Sequence, residues 1–328
     1  MTKRSTIIFG NGLGMALDPE YFPLKAGLNS VWNNTCHLKP EHKSLILSAI
    51  SGTTKELAPV SEEQLDKLQT AIFSIEFLNS LETNNLSWVS DLARDLPEAF
   101  KKYIHEVGLY FHRHNKSLPD TFIDPLSKYI KETKSHVATL NYDNLLYDSL
   151  NNSGVLDGYS GTLIDGYWSI GFSEENLIRH NINKHAWYLH LHGSPLFIGN
   201  HKAMKDVRNL ISADTKNHII LSHVKHKSLL IETSPILSTY WKYLDKALSE
   251  SSKIILFGYS GLDEHLNERI ALSNKTREII IVEWDGAGEE MERNDFWKIT
   301  MRSENIIVKR KSNILEFDDW HIEIEVPF

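Results

Sequence analysis

Five short stretches hold residues able to do chemistry, and each follows an apolar run. Gly10-Asn11-Gly12-Leu13-Gly14 is glycine-rich, which lets a backbone approach a phosphate or turn sharply into a helix. The spacing is not a full GxGxxG, so a plain strand-to-helix turn reads equally well. Thr139-Leu140-Asn141-Tyr142-Asp143 sets Asn and Asp just past a buried run, where they could orient a ligand or simply cap a helix. Leu191-His192-Gly193 offers a base that titrates near neutrality, although the chain has 16 histidines and most histidines are structural. Strand alternation places His190 on the same face as His192. Gly258-Tyr259-Ser260-Gly261, followed by Asp263 and His265, suits a phosphate or hydroxyl at a helix start, or an N-cap by Ser260 or Asp263. Glu283 closes another apolar run, where an acid can bind the hydroxyls of a ribose or sit solvated in a loop.

Elements must hold these residues in place. Residues 5–9, His136–Leu140, Trp187–His192, Lys253–Phe257 and Glu278–Val282 read as strands that are apolar on both sides. Two more short strands are expected near 305–309 and 320–326. Helical spacing runs through 40–50, 62–82, 88–114 and 122–131, with Leu65, Leu68, Ile72, Ile75 and Leu78 on one face and Pro97 starting a fresh segment. Further helices are expected at 235–250 and 262–272. Doubly apolar strands separated by helices predict an α/β, Rossmann-like, doubly wound parallel sheet, with a helical insertion (40–132) after the first strand. The whole of 1–328 then reads as one domain. In such folds ligands sit at the carboxyl ends of the strands, where all five stretches fall.

Composition narrows the class. The 328 residues carry 35 basic and 43 acidic side chains, a formal charge of −8 that argues against direct nucleic-acid binding. The single cysteine, Cys36, excludes an internal disulfide and a Cys-based zinc cluster. The N-terminal apolar run is too short for a signal peptide, and no stretch is long enough to span a bilayer, so a cytoplasmic protein is expected.

Taken in order, the glycine turn, TxNxD, LHG, GxS and the final strand-end acid resemble the Sir2-like (sirtuin-fold) family. The resemblance covers residues ~5–20, 135–195 and 250–285 and leaves out the helical insertion. It implies a protein that binds NAD and cleaves its nicotinamide–ribose bond. By that resemblance Gly10, Asn11 and Gly12 line the pyrophosphate, with Thr139 and Gly258 in the same cofactor-binding edge. Asn141 positions the ribose or the attacking water, and Asp143 meets the nicotinamide amide. His192 is the general base, Ser260 holds a phosphate or ribose oxygen, and Glu283 the adenosine ribose.

The departures are informative. Leu140 stands where sirtuins usually have Gln, and Gly14 where they have Ser. Residues 194–257 contain none of the four zinc-binding cysteines, only scattered histidines (His201, His218, His223, His226) that match no common zinc pattern, so no metal is expected. Together with Asp18-Pro19, Asp165-Gly166-Tyr167-Trp168 and GYSGLDEHL, this resembles the bacterial Sir2-like effectors of anti-phage defence, which hydrolyse NAD. That resemblance implies control by homo-oligomerisation, by a nucleotide ligand, or by a partner such as a HerA-type ATPase or a nucleotide-sensing protein. The insertion is either the partner surface or a cap on the pocket. ADP-ribosyl transfer, deacylation and a non-catalytic NAD or ADP-ribose-binding module are the alternatives. A serine hydrolase built on Ser260 is disfavoured, because GYSG does not meet GxSxG.

Overall fold

In β1 (Ser5–Phe9) every residue is buried, as a strand covered on both faces requires. The computed structural model describes residues 4–50, 58–62, 64–81, 89–168, 171–198, 201–202, 219–221, 224–273 and 277–320. Six helices separate β1 from its sequence successor: α1 (Gly12–Leu17), α2 (Leu24–Asn34), α3 (Pro40–Ile50), α4 (Leu65–Ser80), α5 (Asp91–His112) and α6 (Asp120–Thr133). Then come β2 (His136–Thr139), α7 (Leu145–Asn152), β3 (Leu163–Ile164), a small hairpin of β4 (Tyr167–Trp168) and β5 (Gly171–Phe172), and β6 (Ala186–His190). A second hairpin pairs β7 (Phe197–Ile198) with β8 (His201–Lys202). The chain closes with α8 (Val224–Thr233), α9 (Pro235–Glu250), β9 (Lys253–Phe257), α10 (Glu264–Ser273), β10 (Glu278–Trp284), α11 (Glu290–Met301) and β11 (Ile306–Lys311).

Seven of these strands form one sheet in the order β11-β10-β9-β1-β2-β6-β3. Every neighbouring pair in it is parallel. This is the doubly wound α/β sheet that the strand pattern predicts. The chain runs outward from β1 through β2 to β6, then returns to β9 on the other flank of β1. The order therefore reverses between β1 and β9, the place where open α/β sheets open a crevice for ligands. The register aligns His190, Thr139, Phe9, Phe257 and Val282 as one row across five strands. The residues just past that row share a single edge.

Alternation along β1 sends Ile7 and Phe9 to one face and Ile8 to the other. The first face packs against the helices inserted between β1 and β2, with Leu65, Ile72, Phe100, Tyr103 and Phe122 in the same apolar cluster. The second packs against α9, α10 and α11 through Tyr240, Trp241, Leu244, Leu266 and Trp297. On α4, Leu65, Leu68 and Ile72 are fully buried while Ile75 packs at the margin, as the helical spacing predicts.

Pro97 does not start a new helix. α5 runs unbroken through it, capped at its start by Ser90, whose Oγ accepts the Ala93 amide. The helix buries Leu96, Ala99, Phe100, Tyr103, Ile104 and Val107 on one stripe. Large apolar side chains in such a stripe contribute about 1.5–3 kcal/mol each, which outweighs the roughly 3 kcal/mol cost of an internal proline. Ile306–Lys311 forms the expected strand near 305–309; most of the one expected at 320–326 lies outside the described residues. Among the described residues no helix is long and apolar enough to cross a membrane.

Candidate active site

At the reversal point the loops after β1 and β9 touch backbone to backbone. Gly10 N–H donates to the Phe257 carbonyl at 2.9 Å, and Gly12 N–H to the Gly258 carbonyl at 2.8 Å. A β-carbon on Gly10 would lie 2.7 Å from the Gly258 oxygen, and one on Gly12 would lie 2.6 Å from the Gly258 Cα. Gly258 itself has φ +59°. These glycines are needed for loop to meet loop, and the Gly10 and Gly12 amides are already engaged within the protein. Asn11 turns its side chain away from the edge, with Nδ2 donating to the Phe22 carbonyl at 3.0 Å. A β-carbon on Gly14 would meet the Phe22 ring at 2.6 Å, so glycine, not serine, fits beneath that ring.

Next along the edge, the end of β2 is fastened to β1. Thr139 Oγ1 accepts the Asn141 amide at 3.1 Å, and Asn141 Nδ2 donates to the Gly10 carbonyl at 3.1 Å. This fixes the Asn141 amide plane and leaves Oδ1 buried, with no hydrogen-bond partner among the described residues. A buried acceptor without a donor costs free energy, so such an atom points to a ligand or water. Asp143 caps α7 by accepting the Leu145 amide at 3.0 Å. Burial pushes its carboxyl up to about 7, and hydrogen bonds from the backbone only partly oppose this. Tyr142, between them, donates its hydroxyl to the Ile220 carbonyl.

The end of β6 carries two of the histidines, His190 and His192. The strand stops at His190 and the chain turns, so alternation does not carry on to His192. His190 is packed among the rings of Tyr147, Tyr188, Phe197 and Tyr240. His192 instead meets Asp263, with Nε2 2.8 Å from Oδ2. Asp263 Oδ1 accepts the Leu266 amide at 3.2 Å and so caps α10, while Oδ2 also accepts Lys227 Nζ at 3.0 Å. Burial resists ionisation of Asp263, but the His192 and Lys227 hydrogen bonds and charges outweigh it and hold its carboxyl well below the usual range. Tyr259 steadies this loop by donating to Asn267 Oδ1 at 2.8 Å and accepting the Asp263 amide at 3.0 Å. Ile220 N–H donates to the His192 carbonyl at 3.0 Å, so residues 219–221 are stitched between His192 and Tyr142.

Asn141 and His192 thus stand two residues beyond the aligned row on adjacent strands, one with a free acceptor and one with a carboxylate behind its imidazole. The other expected residues lie differently. Ser260 is exposed, and its hydroxyl faces the Leu262 amide at 3.4 Å. Glu283 is buried but turned toward α11, where it accepts from Arg293 Nε and Nη2 at 3.0 and 2.7 Å and from Trp297 Nε1 at 2.9 Å. Asp263 and Lys227 are the functional candidates that motif reading missed. Asp263 was visible only as a cap, and Lys227 carries no motif.

The inserted helices wall the site. His105 on α5 hydrogen-bonds the Pro195 carbonyl at 2.9 Å, and a β-carbon on Gly108 would strike Ile219 at 2.7 Å. Glu62, just before α4, reaches Lys227 at 3.4 Å. A narrow cleft of about 60 Å³ lies here, lined by Phe100, Ile104, Ser194 and Ile219 among others. A larger polar cavity of about 460 Å³ sits beside the NYD turn, lined by Lys116, Asp120, Asp124, Asn144 and Asp148, but not by Asn141, His192 or Asp263. Geometry and the orphaned Asn141 oxygen locate the chemistry better than cavity size does. Among the described residues no group of three or more His, Cys, Asp or Glu side chains could hold a metal. The side chains of His201, His218, His223 and His226 lie outside them.

The parallel sheet, with a polar edge formed by β2, β6 and β9, defines a Rossmann-like protein. The family model for the SIR2-like domain matches residues 135–300, about half of the chain, from β2 to α11. The chain belongs to the SIR2-like family. The match takes in Asn141, Asp143, His192, Lys227 and Asp263 and excludes β1 and the inserted helices. Comparison with curated proteins finds no match.

Proposed function

We propose that this chain is an NAD glycohydrolase that cleaves the nicotinamide–ribose bond to give nicotinamide and ADP-ribose. One observation carries the reading: Asn141 and His192 sit side by side at the strand ends, the first with a buried free Oδ1 and the second backed by an ionised Asp263. Nicotinamide leaves readily because its ring nitrogen is cationic, so the enzyme needs no strong general acid. It must hold the ribose and deliver water. With Asp263 accepting from Nε2, the His192 Nδ1 is the basic atom. Asn141 Oδ1 accepts a hydrogen bond from a ribose hydroxyl or the water. The water oxygen bonds to the anomeric carbon, the carbon–nitrogen bond breaks with its electrons going to nicotinamide, and the water's proton passes to His192. Asp143 lies next to this group, where its carboxyl can meet the carboxamide.

An unrestrained NAD hydrolase would harm its own cell. The proposal therefore includes restraint by self-assembly, by a nucleotide ligand, or by a partner such as a HerA-type ATPase or nucleotide-sensing protein, in a role defending against phage. Incubation with NAD, with products separated by chromatography beside a His192→Ala control, tests the reaction. Free nicotinamide and ADP-ribose from the wild type alone support it. ADP-ribose attached to protein or nucleic acid means transfer, and NAD binding without turnover in the presence of candidate partners means a binding module.

A further inference from the structure

Asp263 Oδ2 accepts two cationic or potentially cationic donors, His192 Nε2 at 2.8 Å and Lys227 Nζ at 3.0 Å. The Lys227 and Asp263 side chains are each about 5% exposed, so their charges act with little screening by water. The far side of Lys227 faces Glu62 Oε2 at 3.4 Å, and that carboxylate is 28% exposed. Among the described residues, other titratable groups around the pair include Tyr142, whose ring centre is 6.4 Å from that of His192, Tyr259, whose hydroxyl accepts the Asp263 amide, and His265, which reaches Ser228 on α8.

We propose that Lys227 is a positioning residue for the reaction. By sharing the Asp263 oxygen it offsets that carboxylate's charge and keeps it aimed at the His192 imidazole, and Glu62 tempers the lysine from the edge of the inserted helices. The physical argument is a charge count. A lone buried carboxylate beside an imidazole favours the imidazolium, which cannot accept a proton. A lysine on the same oxygen offsets most of that pull while the orienting hydrogen bond remains. Glu62 withdraws part of the lysine's influence. The two neighbours of Asp263 and Lys227 thus push the His192 titration in opposite directions. This inference rests on the reading of His192 as the base.

The test follows the His192 ring directly, by NMR titration of histidine-labelled full-length protein, with His192 assigned from a His192→Gln spectrum. The pH dependence of NAD cleavage is measured in parallel. In Lys227→Met the His192 midpoint should rise by about one pH unit, so that the rate a unit below the midpoint falls roughly tenfold, with kcat affected more than KM. Lys227→Arg should restore the wild-type midpoint. Glu62→Gln should move it the other way, by a smaller step. Identical midpoints in wild type, Lys227→Met and Glu62→Gln overturn the proposal. So does a rate loss in Lys227→Met that is the same at every pH and is not restored by arginine. Should Lys227→Met fail to fold, Glu62→Gln at the more exposed end decides alone. A wild type that cleaves no NAD even in the presence of candidate partners and nucleotides sinks the functional reading, and the NMR midpoints still decide the role of Lys227.

Discussion

His192 and Asp263 meet at 2.8 Å although 71 residues separate them in sequence. Each comes from a different strand-end loop, and neither loop touches the other through any motif visible in the chain. Asp263→Asn keeps the acceptor for the Leu266 amide but removes the charge that orients His192. The expected loss in kcat is on the order of 10²–10⁴-fold, with KM for NAD little changed. It also leaves Lys227 buried with only Glu62 opposite, at a cost of about 3–5 kcal/mol. Thermal unfolding of Asp263→Asn beside Asp263→Asn/Lys227→Met separates the two effects, because the double variant should regain stability without regaining activity. An Asp263→Asn enzyme within threefold of the wild-type rate rejects the orienting role.

Asn141→Ala and His192→Ala should each lower turnover by at least ~10²-fold. Asn141→Ala gives up one hydrogen bond to the Gly10 carbonyl, worth about 1 kcal/mol, so the variant should remain folded. Circular dichroism checks the fold and single-turnover kinetics the loss. A folded Asn141→Ala enzyme that keeps most of its rate removes Asn141 from the site.

Asp143 carries a built-in pH dependence. Its folded carboxyl sits at about 7, above the 3.8 it has when exposed, because burial opposes the charge. Between those values the folded state holds a proton that the unfolded state has lost. Asp143 therefore costs no stability below pH 4, costs progressively more as pH rises toward 7, and the cost levels off above that. Asp143→Asn should raise Tm at pH 8, and the gap should close by about pH 4. A lower Tm at pH 8 would mean that a cationic partner, not burial, governs this carboxyl. If Asp143 meets the carboxamide as proposed, the same substitution should also weaken NAD cleavage.

Gly14→Ala forces a β-carbon against the Phe22 ring. The loop between α1 and α2 is also held by Asn11 on the Phe22 carbonyl and by Asp18 on His114 and Lys116, so the ring has little freedom to withdraw. A loss of about 1–3 kcal/mol is expected. Phe22→Leu in the same chain should recover part of it, as read by chemical denaturation. No recovery would mean the backbone at residue 14, not the ring, resists the side chain.

The sheet was legible because its strands are buried on both faces and therefore read as unbroken apolar runs. β1, β2, β6, β9 and β10 all fall where such runs lie. α11 escaped notice because EMERNDFWKITM buries only Trp297 and Met301, too few to set a period. α8 likewise carries a weak pattern. The site was legible as residue types and opaque as contacts. Glu283 has the right type at a strand end, yet Arg293 ten residues later claims its carboxylate. Gly10 and Gly12 have the right flexibility, but tertiary contact with Gly258 uses it. Lys227 could not be found from sequence, because an isolated lysine on a weakly patterned helix carries no signal until the fold buries it against Asp263.

The central strand has consequences for the birth of the protein. β1 precedes both of its partners in the chain: β2 begins at His136 and β9 at Lys253. Pairing across such spans is slow, and here the second partner follows only after the inserted helices, β2 and β6 have been made. Until then Gly10 and Gly12 have no loop to rest on, and His192 has no Asp263 behind it. An unfinished or truncated chain therefore cannot assemble this site.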